Sequence, residues 1–280
     1  MSDTDSPDVT GDELAGSLRA IADAPPLVQA LTNEVTMNDV ANLILHWDAL
    51  PVMADSPGDA GEMAQGADAV LFNTGQIPET KVEAMREAAQ TAADRDLPVV
   101  LDPVGVGSTP TRKSVAQTLL DEVSFTVIKG NYGEISALAG VEADVKGVES
   151  VGDYDEIEET ARSLADSTGS IVVASGVEDI VADADSAYRL TAGHEMLGEV
   201  VGTGCMLGST LAVFNGALED AHAAALHGTL AFGIAGERAA EMEYQGPASY
   251  RTNFHDAVAG FDEAIETASL DLGDRVERLV

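Results

Sequence analysis

Short apolar runs alternate with helical stretches of about 10–15 residues along most of this chain, and few architectures satisfy that alternation. Strands are predicted at Leu27–Leu31, Ala49–Met53, Ala69–Phe72, Pro98–Leu101, Phe125–Ile128 and Ser170–Ala174. Between them, Leu14, Leu18 and Ile21 keep helical spacing from Asp12 until Pro25-Pro26. Thr36 is placed to cap a second helix, Ser56-Pro57 opens a short one ending near Met63, and Pro78 and Thr109-Pro110 begin two more. A further helix carries Ile157, Ala161 and Leu164. Ile180-Val181 and Tyr188–Leu190 read as short antiparallel strands, and Ala-rich helices run from Gly202 to about Ala240 and from Tyr250 to about Ser269. The expected fold is α/β, a mostly parallel central sheet with helices on both faces. One domain is expected over residues 12–280, after a disordered acidic tail over residues 1–11. Function in such a sheet belongs at the C-terminal ends of the strands.

The segment Glu199-Val-Val-Gly-Thr-Gly-Cys205 leads from a β-like piece into an apolar helix. Gly202, Thr203 and Gly204 let backbone approach a ligand and aim free helix N–H groups at an anion. Cys205 stands at that helix start, where the dipole is expected to lower a thiol pKa. Burial as a small hydrophobe is the plainer reading of a lone cysteine. A single cysteine excludes an internal disulfide and a Cys-based zinc site. No Gly-x-x-x-x-Gly-Lys-Ser/Thr loop exists, and no histidines fall at metal-ligand spacing.

Polar groups stand at four strand ends: Asn33, Asp102, Lys129 with Asn131 and Glu134, and Ser175 with Gly176. Asp102 and Glu134 would suit Mg²⁺, directly or through water, although Glu134 also suits the first turn of a helix. Lys129 ends a strand in a lysine-poor chain and is read as a phosphate contact. Met53, on pattern alone, is a core residue.

Five of these segments occur in order: Leu31-Thr-Asn-Glu-Val-Thr36, Pro51-Val-Met-Ala54, Leu101-Asp-Pro-Val-Gly-Val-Gly107, Ile128-Lys-Gly-Asn-Tyr-Gly-Glu134 and Val201-Gly-Thr-Gly-Cys205. Together they resemble the hydroxyethylthiazole kinase family, of the three-layer ribokinase-like fold, over about residues 13–270. The resemblance implies ATP-dependent phosphorylation of the primary alcohol of 4-methyl-5-(2-hydroxyethyl)thiazole in thiamine salvage. Met53, Gly202 and Asn33 would then meet the thiazole, while Lys129, Ser175 and Asn131 would meet ATP. Asp102 and Glu134 would organise Mg²⁺. Cys205 would take the hydroxyl proton, with the amides of Gly202, Thr203 and Gly204 holding the transferring group. A homotrimer with active sites between subunits is also implied. His46-Trp47-Asp48 departs from the family's usual small or glycine-containing turn. Three other readings compete. One is a hydroxymethylpyrimidine kinase, usually with aspartate at the cysteine position. Another is a hydrolase pairing Cys205 with His194, His222 or His227. The third is a non-catalytic binding module.

Charge bounds the setting. Asp and Glu total 49 against 14 Lys and Arg, for a net charge of −35, and lysine occurs only at 81, 113, 129 and 146. Nucleic-acid binding is disfavoured because no basic patch exists, and no apolar run reaches the ~20 residues of a membrane span. The acidic N-terminus carries no secretory signal, so a cytoplasmic protein is expected. Dispersed acidity of this size repels itself at low ionic strength, whereas at ~1 M salt the screening length falls to ~3 Å. A halophilic protein is therefore predicted. Its melting temperature should rise between 0.1 and 2 M KCl; an unchanged value would contradict this.

Overall fold

In the computed structural model, residues 9–141, 145–146, 149–150, 156–261 and 267–280 are described. The main sheet has nine strands in the order β11-β10-β9-β8-β5-β4-β3-β1-β2. They are β1 (Leu27–Leu31), β2 (Leu50–Val52), β3 (Ala69–Asn73), β4 (Val99–Asp102), β5 (Val127–Asn131), β8 (Ile171–Ser175), β9 (Asp179–Ala182), β10 (Ala187–Leu190) and β11 (Val276–Arg278). The strands from β2 to β8 in that order pair in parallel, and β9 to β11 extend the β8 edge antiparallel. A separate two-stranded ribbon joins β6 (Val145–Lys146) and β7 (Glu149–Ser150). The order reverses between β1 and β3, which makes the crevice beyond their C-terminal ends the natural binding place.

Alternation along the strands divides the core in two. Val28, Ala30, Ala69, Leu71, Val100, Val127 and Val173 face one layer, together with the helices α1 (Gly11–Asp23), α2 (Met37–His46), α8 (Thr203–Ala217), α9 (Ala221–Glu241) and α10 (Pro247–Ala259). Leu31, Val70, Phe72, Val99, Leu101, Ile128 and Val172 face the other. There α3 (Asp59–Ala64), α4 (Glu79–Asp94), α5 (Pro110–Glu122), α6 (Tyr132–Leu138) and α7 (Ile157–Thr168) supply the cover. Gly204, Gly208, Ala212 and Gly216 recur every fourth residue and so share one face of α8. A Cβ on Gly208 would lie 3.5 Å from the Asp102 side chain, and one on Gly216 would lie 3.1 Å from Pro26. This flat face brings α8 down onto the strands.

Several elements differ from the sequence expectations. Gly11 already begins α1, and residues 1–8 of the expected tail lie outside the described residues. Helix α3 starts two residues after Ser56-Pro57, behind Gly58 at φ 84°. Lys129, expected to end a strand, lies in the middle of β5, which continues to Asn131. Glu199 ends a 3-10 turn (Glu195–Glu199) instead of a β-like piece. The last Ala-rich stretch ends as α10 at Ala259, residues 262–266 lie outside the described residues, and Thr267–Ser269 forms a 3-10 turn. Strand β11 was not expected, because Val276–Arg278 is too short and polar to register as an apolar run.

The unusual His46-Trp47-Asp48 turn has a structural account. Trp47 is buried, donates Nε1–H to Thr210 Oγ1 at 2.9 Å, and packs edge-on against Phe214. Asp48 takes the left-handed conformation at φ 60°, where glycine would be the easier residue. His46 Nδ1 faces His255 Nδ1 on α10 at 3.2 Å, so one ring donates to the other. Asp39 lies beside His255 Nε2 at 3.8 Å and also pairs with Arg251. Burial pushes both imidazoles below the ordinary histidine pKa, against the pull of Asp256 on His46 and of Asp39 and Asp256 on His255. The unfolded chain therefore binds protons first as pH falls, and the stability present above about pH 6.5 is lost below it. The unfolding midpoint in molar KCl should drop between about pH 6.5 and 5, and drop less in His255→Gln. An equal loss in the variant would remove the pair from the account.

Candidate active site

Asn73, Asp102, Lys129 and Ser175 have the strand parity that faces α8; Asn73, Asp102 and Ser175 end β3, β4 and β8, and Lys129 lies two residues before the end of β5. Asn73 and Asp102 are register partners. Asn73 Nδ2 donates to Asp102 Oδ2 at 2.6 Å, and Lys129 Nζ reaches Asp102 Oδ1 at 3.4 Å. Asn33, just beyond β1, donates Nδ2–H to Asn73 Oδ1 at 3.0 Å and accepts from the Thr36 amide. The Cys205 sulfur closes this chain, accepting from Asn73 Nδ2 at 3.2 Å and from Asn33 Nδ2 at 3.4 Å. Sequence reading missed Asn73. The signal was there, since it keeps the parity of Ala69 and Leu71 and follows them directly at the strand end.

Helix α8 begins above this chain. Gly202 holds φ 98°, and a Cβ there would meet the Thr36 methyl at 2.5 Å. Thr203 Oγ1 donates to Leu197 O at 2.9 Å and so ties the preceding turn to the helix start. The N–H groups of Thr203, Gly204 and Cys205 have no acceptor within the helix. A Cβ on Gly204 would sit 3.0 Å from Lys129 Nζ, so the ammonium lies directly against this helix end. Thr36 occupies the N-cap position of α2 without capping it, and its buried side chain lies against the Cys205 thiol.

The electrostatics follow from burial. Asp102 is fully buried, and desolvation pushes its carboxyl above the usual range against the pull of Lys129 and Asn73. Glu134 is raised for the same reason, despite Lys129 and two backbone donors. For Lys129, desolvation favours the neutral amine, but Asp102 and Glu134 outweigh it and hold the pKa above the ordinary lysine value. Burial, then Asp102, push the Cys205 thiol up, with Lys129, Thr36 and Asn73 opposing. The expectation of a depressed thiol pKa is thus overturned: the helix end is present, but Cys205 is only 8% exposed and its thiol shares the site with a carboxylate.

Glu134 both caps and is capped. Its Oε2 accepts the Asn131 amide at 2.8 Å while Asn131 Oδ1 accepts the Glu134 amide at 2.9 Å, and Oε1 accepts Gly105 N–H at 2.6 Å. Ser175 Oγ lies 3.4 Å from Gly130 O, one strand from Asn131, its register partner. Met53 follows β2, half-buried at the margin of the α8-side core. Neither Met53 nor Ser175 hydrogen-bonds to the Cys205 chain among the described residues. The three histidines considered as bases lie elsewhere: His222 pairs with Asp183 at 2.9 Å, His227 with Ser17 at 2.8 Å, and His194 accepts from Met196 N–H. No imidazole therefore serves Cys205 among the described residues.

The family model described as the hydroxyethylthiazole kinase family matches residues 18–263. The chain belongs to that family. Hydroxyethylthiazole kinases from the halophiles Natronomonas pharaonis and Haloquadratum walsbyi are 52% and 51% identical to it. Those matches cover 100% and 94% of this chain and 99% and 92% of the relatives. The structure of hydroxyethylthiazole kinase protein from Pyrococcus horikoshii superposes with a TM-score of 0.84 at 32% identity, over 96% of this chain and 99% of that one. Staphylococcus aureus pyridoxal kinase with AMP-PCP and pyridoxal shares the fold, at a TM-score of 0.59 and 15% identity over 79% and 90% of the two chains. The ribokinase-like expectation is thereby met. For this family member, the direction of the Cys205 shift predicts slow alkylation at neutral pH. The iodoacetamide rate should keep climbing above the ~8.5 of a free thiol, and Lys129→Met should move it higher still. A midpoint below pH 7 would contradict the electrostatics described.

Proposed function

We propose that this chain is the ATP-dependent kinase that phosphorylates 4-methyl-5-(2-hydroxyethyl)thiazole, a cytoplasmic step of thiamine salvage. The observation that carries the reading is the adjacency of a helix-end anion site and a buried sulfur on consecutive residues, Gly202 to Cys205. The substrate oxygen attacks the γ-phosphorus, the bond from that phosphorus to the β–γ bridging oxygen breaks, and ADP leaves. The hydroxyl proton passes to Cys205. Amides of Thr203, Gly204 and Cys205 and the Lys129 ammonium stabilise the charge on the transferring group. Lys129 and the donors Asn33 and Asn73 also favour the thiolate that proton transfer requires. A loose transition state acidifies the hydroxyl late, so positioning outweighs base strength.

Asp102 and Glu134 fit Mg²⁺ as a donor set. Both are carboxylates, and both are oriented by the hydrogen bonds described above. No cluster of three or more ligating side chains exists among the described residues. An ion held by these two carboxylates would keep waters and take other ligands from substrate phosphates. When bound, the ion would neutralise phosphate charge. Ser175 and Asn131 flank the same strand ends and would border ATP, and Met53 would meet the thiazole.

Val35, Leu45 and Leu50 are 67%, 52% and 49% exposed beside α2 and the outer edge strand β2. The subunit contacts of the homotrimer that the family resemblance implies would lie along these exposed apolar side chains, next to Asn33 and Thr36. No helix among the described residues is long and apolar enough to cross a membrane.

The test is ADP formation in molar KCl with ATP and Mg²⁺. The thiazole alcohol should drive it and hydroxymethylpyrimidine should not; activity with neither, or with the pyrimidine alone, rejects the reading. Cys205→Ala should bind the thiazole but turn over about 10²–10⁴-fold more slowly, while Cys205→Asp should remain active. Full turnover by the Ala variant removes Cys205 from proton transfer.

A further inference from the structure

We propose that Asn73 is the positioning residue for Cys205, its carboxamide fixing the sulfur and the Asp102 carboxylate relative to each other. This rests on the reading of Cys205 as the proton acceptor. Asn73 is fully buried, and its side chain makes four hydrogen bonds of distinct kinds. Its two N–H groups point to Asp102 Oδ2 at 2.6 Å and Cys205 Sγ at 3.2 Å. Its oxygen accepts Asn33 Nδ2–H and the Gly75 amide, both at 3.0 Å. The orientation of the amide follows from its partners, because a carboxylate only accepts and a backbone N–H only donates. A flipped amide would set oxygen against Asp102 and N–H against Gly75.

The sulfur belongs to helix α8 and the carboxylate to strand β4, so no local backbone geometry sets the distance between them. Asn73 spans that gap from β3, the strand between β1 and β4. Its backbone is fixed in register opposite Asp102. The loop that follows is tied to the same carboxamide through Gly75, where an added Cβ would meet Asn33 at 2.9 Å. With Asn33 as the second donor, the sulfur receives N–H groups from the sheet side.

Two variants separate this role from packing. Asn73→Asp keeps the shape and removes both donors; Asn73→Ser removes the reach without adding a charge. Turnover should fall about 100-fold in each, as for a ~1 Å misplacement of a reacting group, with KM for the thiazole alcohol changed less than about threefold. In a Cys205→Ala background Asn73→Ser should cost at least about tenfold less than in the parent, the remainder coming from its lost bond to Asp102, since interacting residues are not additive. The sole cysteine supplies a readout independent of activity. Its S–H stretching band, identified by its loss in Cys205→Ala, should shift in Asn73→Ser. A full Asn73→Ser effect in the Cys205→Ala background, or an unshifted band in folded Asn73→Ser, overturns the proposal. If the parent protein shows no kinase activity, the functional reading fails, and the band alone decides whether Asn73 holds the sulfur.

Discussion

A lysine ammonium is buried against the N-terminal end of a helix, where the helix dipole repels a cation. Lys129 tolerates that position because Asp102 lies beneath it at 3.4 Å and Glu134 adds a second negative charge nearby. The arrangement stays short of full compensation on the helix side, where three amides also point without intrahelical acceptors. An anion bound there would satisfy the ammonium and the amides together. Enclosed ion pairs are costly to assemble and weak as stability devices, so this one is better understood through the ligand than through the fold.

Everything else about the architecture serves to bring that pair to the helix. Strand alternation puts Asn73, Asp102 and Lys129 on one face of the sheet, while the hydrophobic neighbours Phe72, Leu101 and Ile128 turn to the other. The glycine-rich face of α8 admits the charged groups: Gly204 lies over Lys129 and Gly208 over Asp102. Larger residues at either place would lift the helix and break the contacts to Cys205. The inner wall is hydrogen-bonded throughout, from Asn33 through Asn73 and Asp102 to Lys129, and satisfied networks are rigid.

Much of this was legible in the sequence. The apolar runs, their alternation with helices and the in-order motifs identified the sheet, its parallel sense and the strand-end groups. Asp102 and Lys129 stood out because they directly follow apolar residues in a chain where lysine is rare. Asn73 did not, because an asparagine before Thr-Gly resembles an ordinary turn; only counting parity back to Ala69 reveals that it points at α8. Thr36 resembled a helix cap and sits at the N-cap position, yet its methyl is wedged against Gly202. The direction of the Cys205 shift was also beyond the sequence. A helix start argues for a lowered thiol pKa, whereas the outcome depends on depth of burial and on a carboxylate from a strand about 100 residues away in the chain. Two of the four lysines are buried in ion pairs, Lys81 with Asp55 at 3.1 Å and Lys129 with Asp102. A composition-based reading assigns lysines to the surface and has no means to anticipate this.

In the proposed reaction, phosphoryl transfer takes place between the amides opening α8 and the sulfur of Cys205. A crystal structure of the protein with phosphorylated thiazole alcohol, grown in molar salt, decides this. The phosphate should lie on the N–H groups of Thr203, Gly204 and Cys205 within reach of Lys129 Nζ, with the ester oxygen against Cys205 Sγ. A phosphate bound away from the α8 N-terminus, or an ester oxygen turned away from the sulfur, would contradict it.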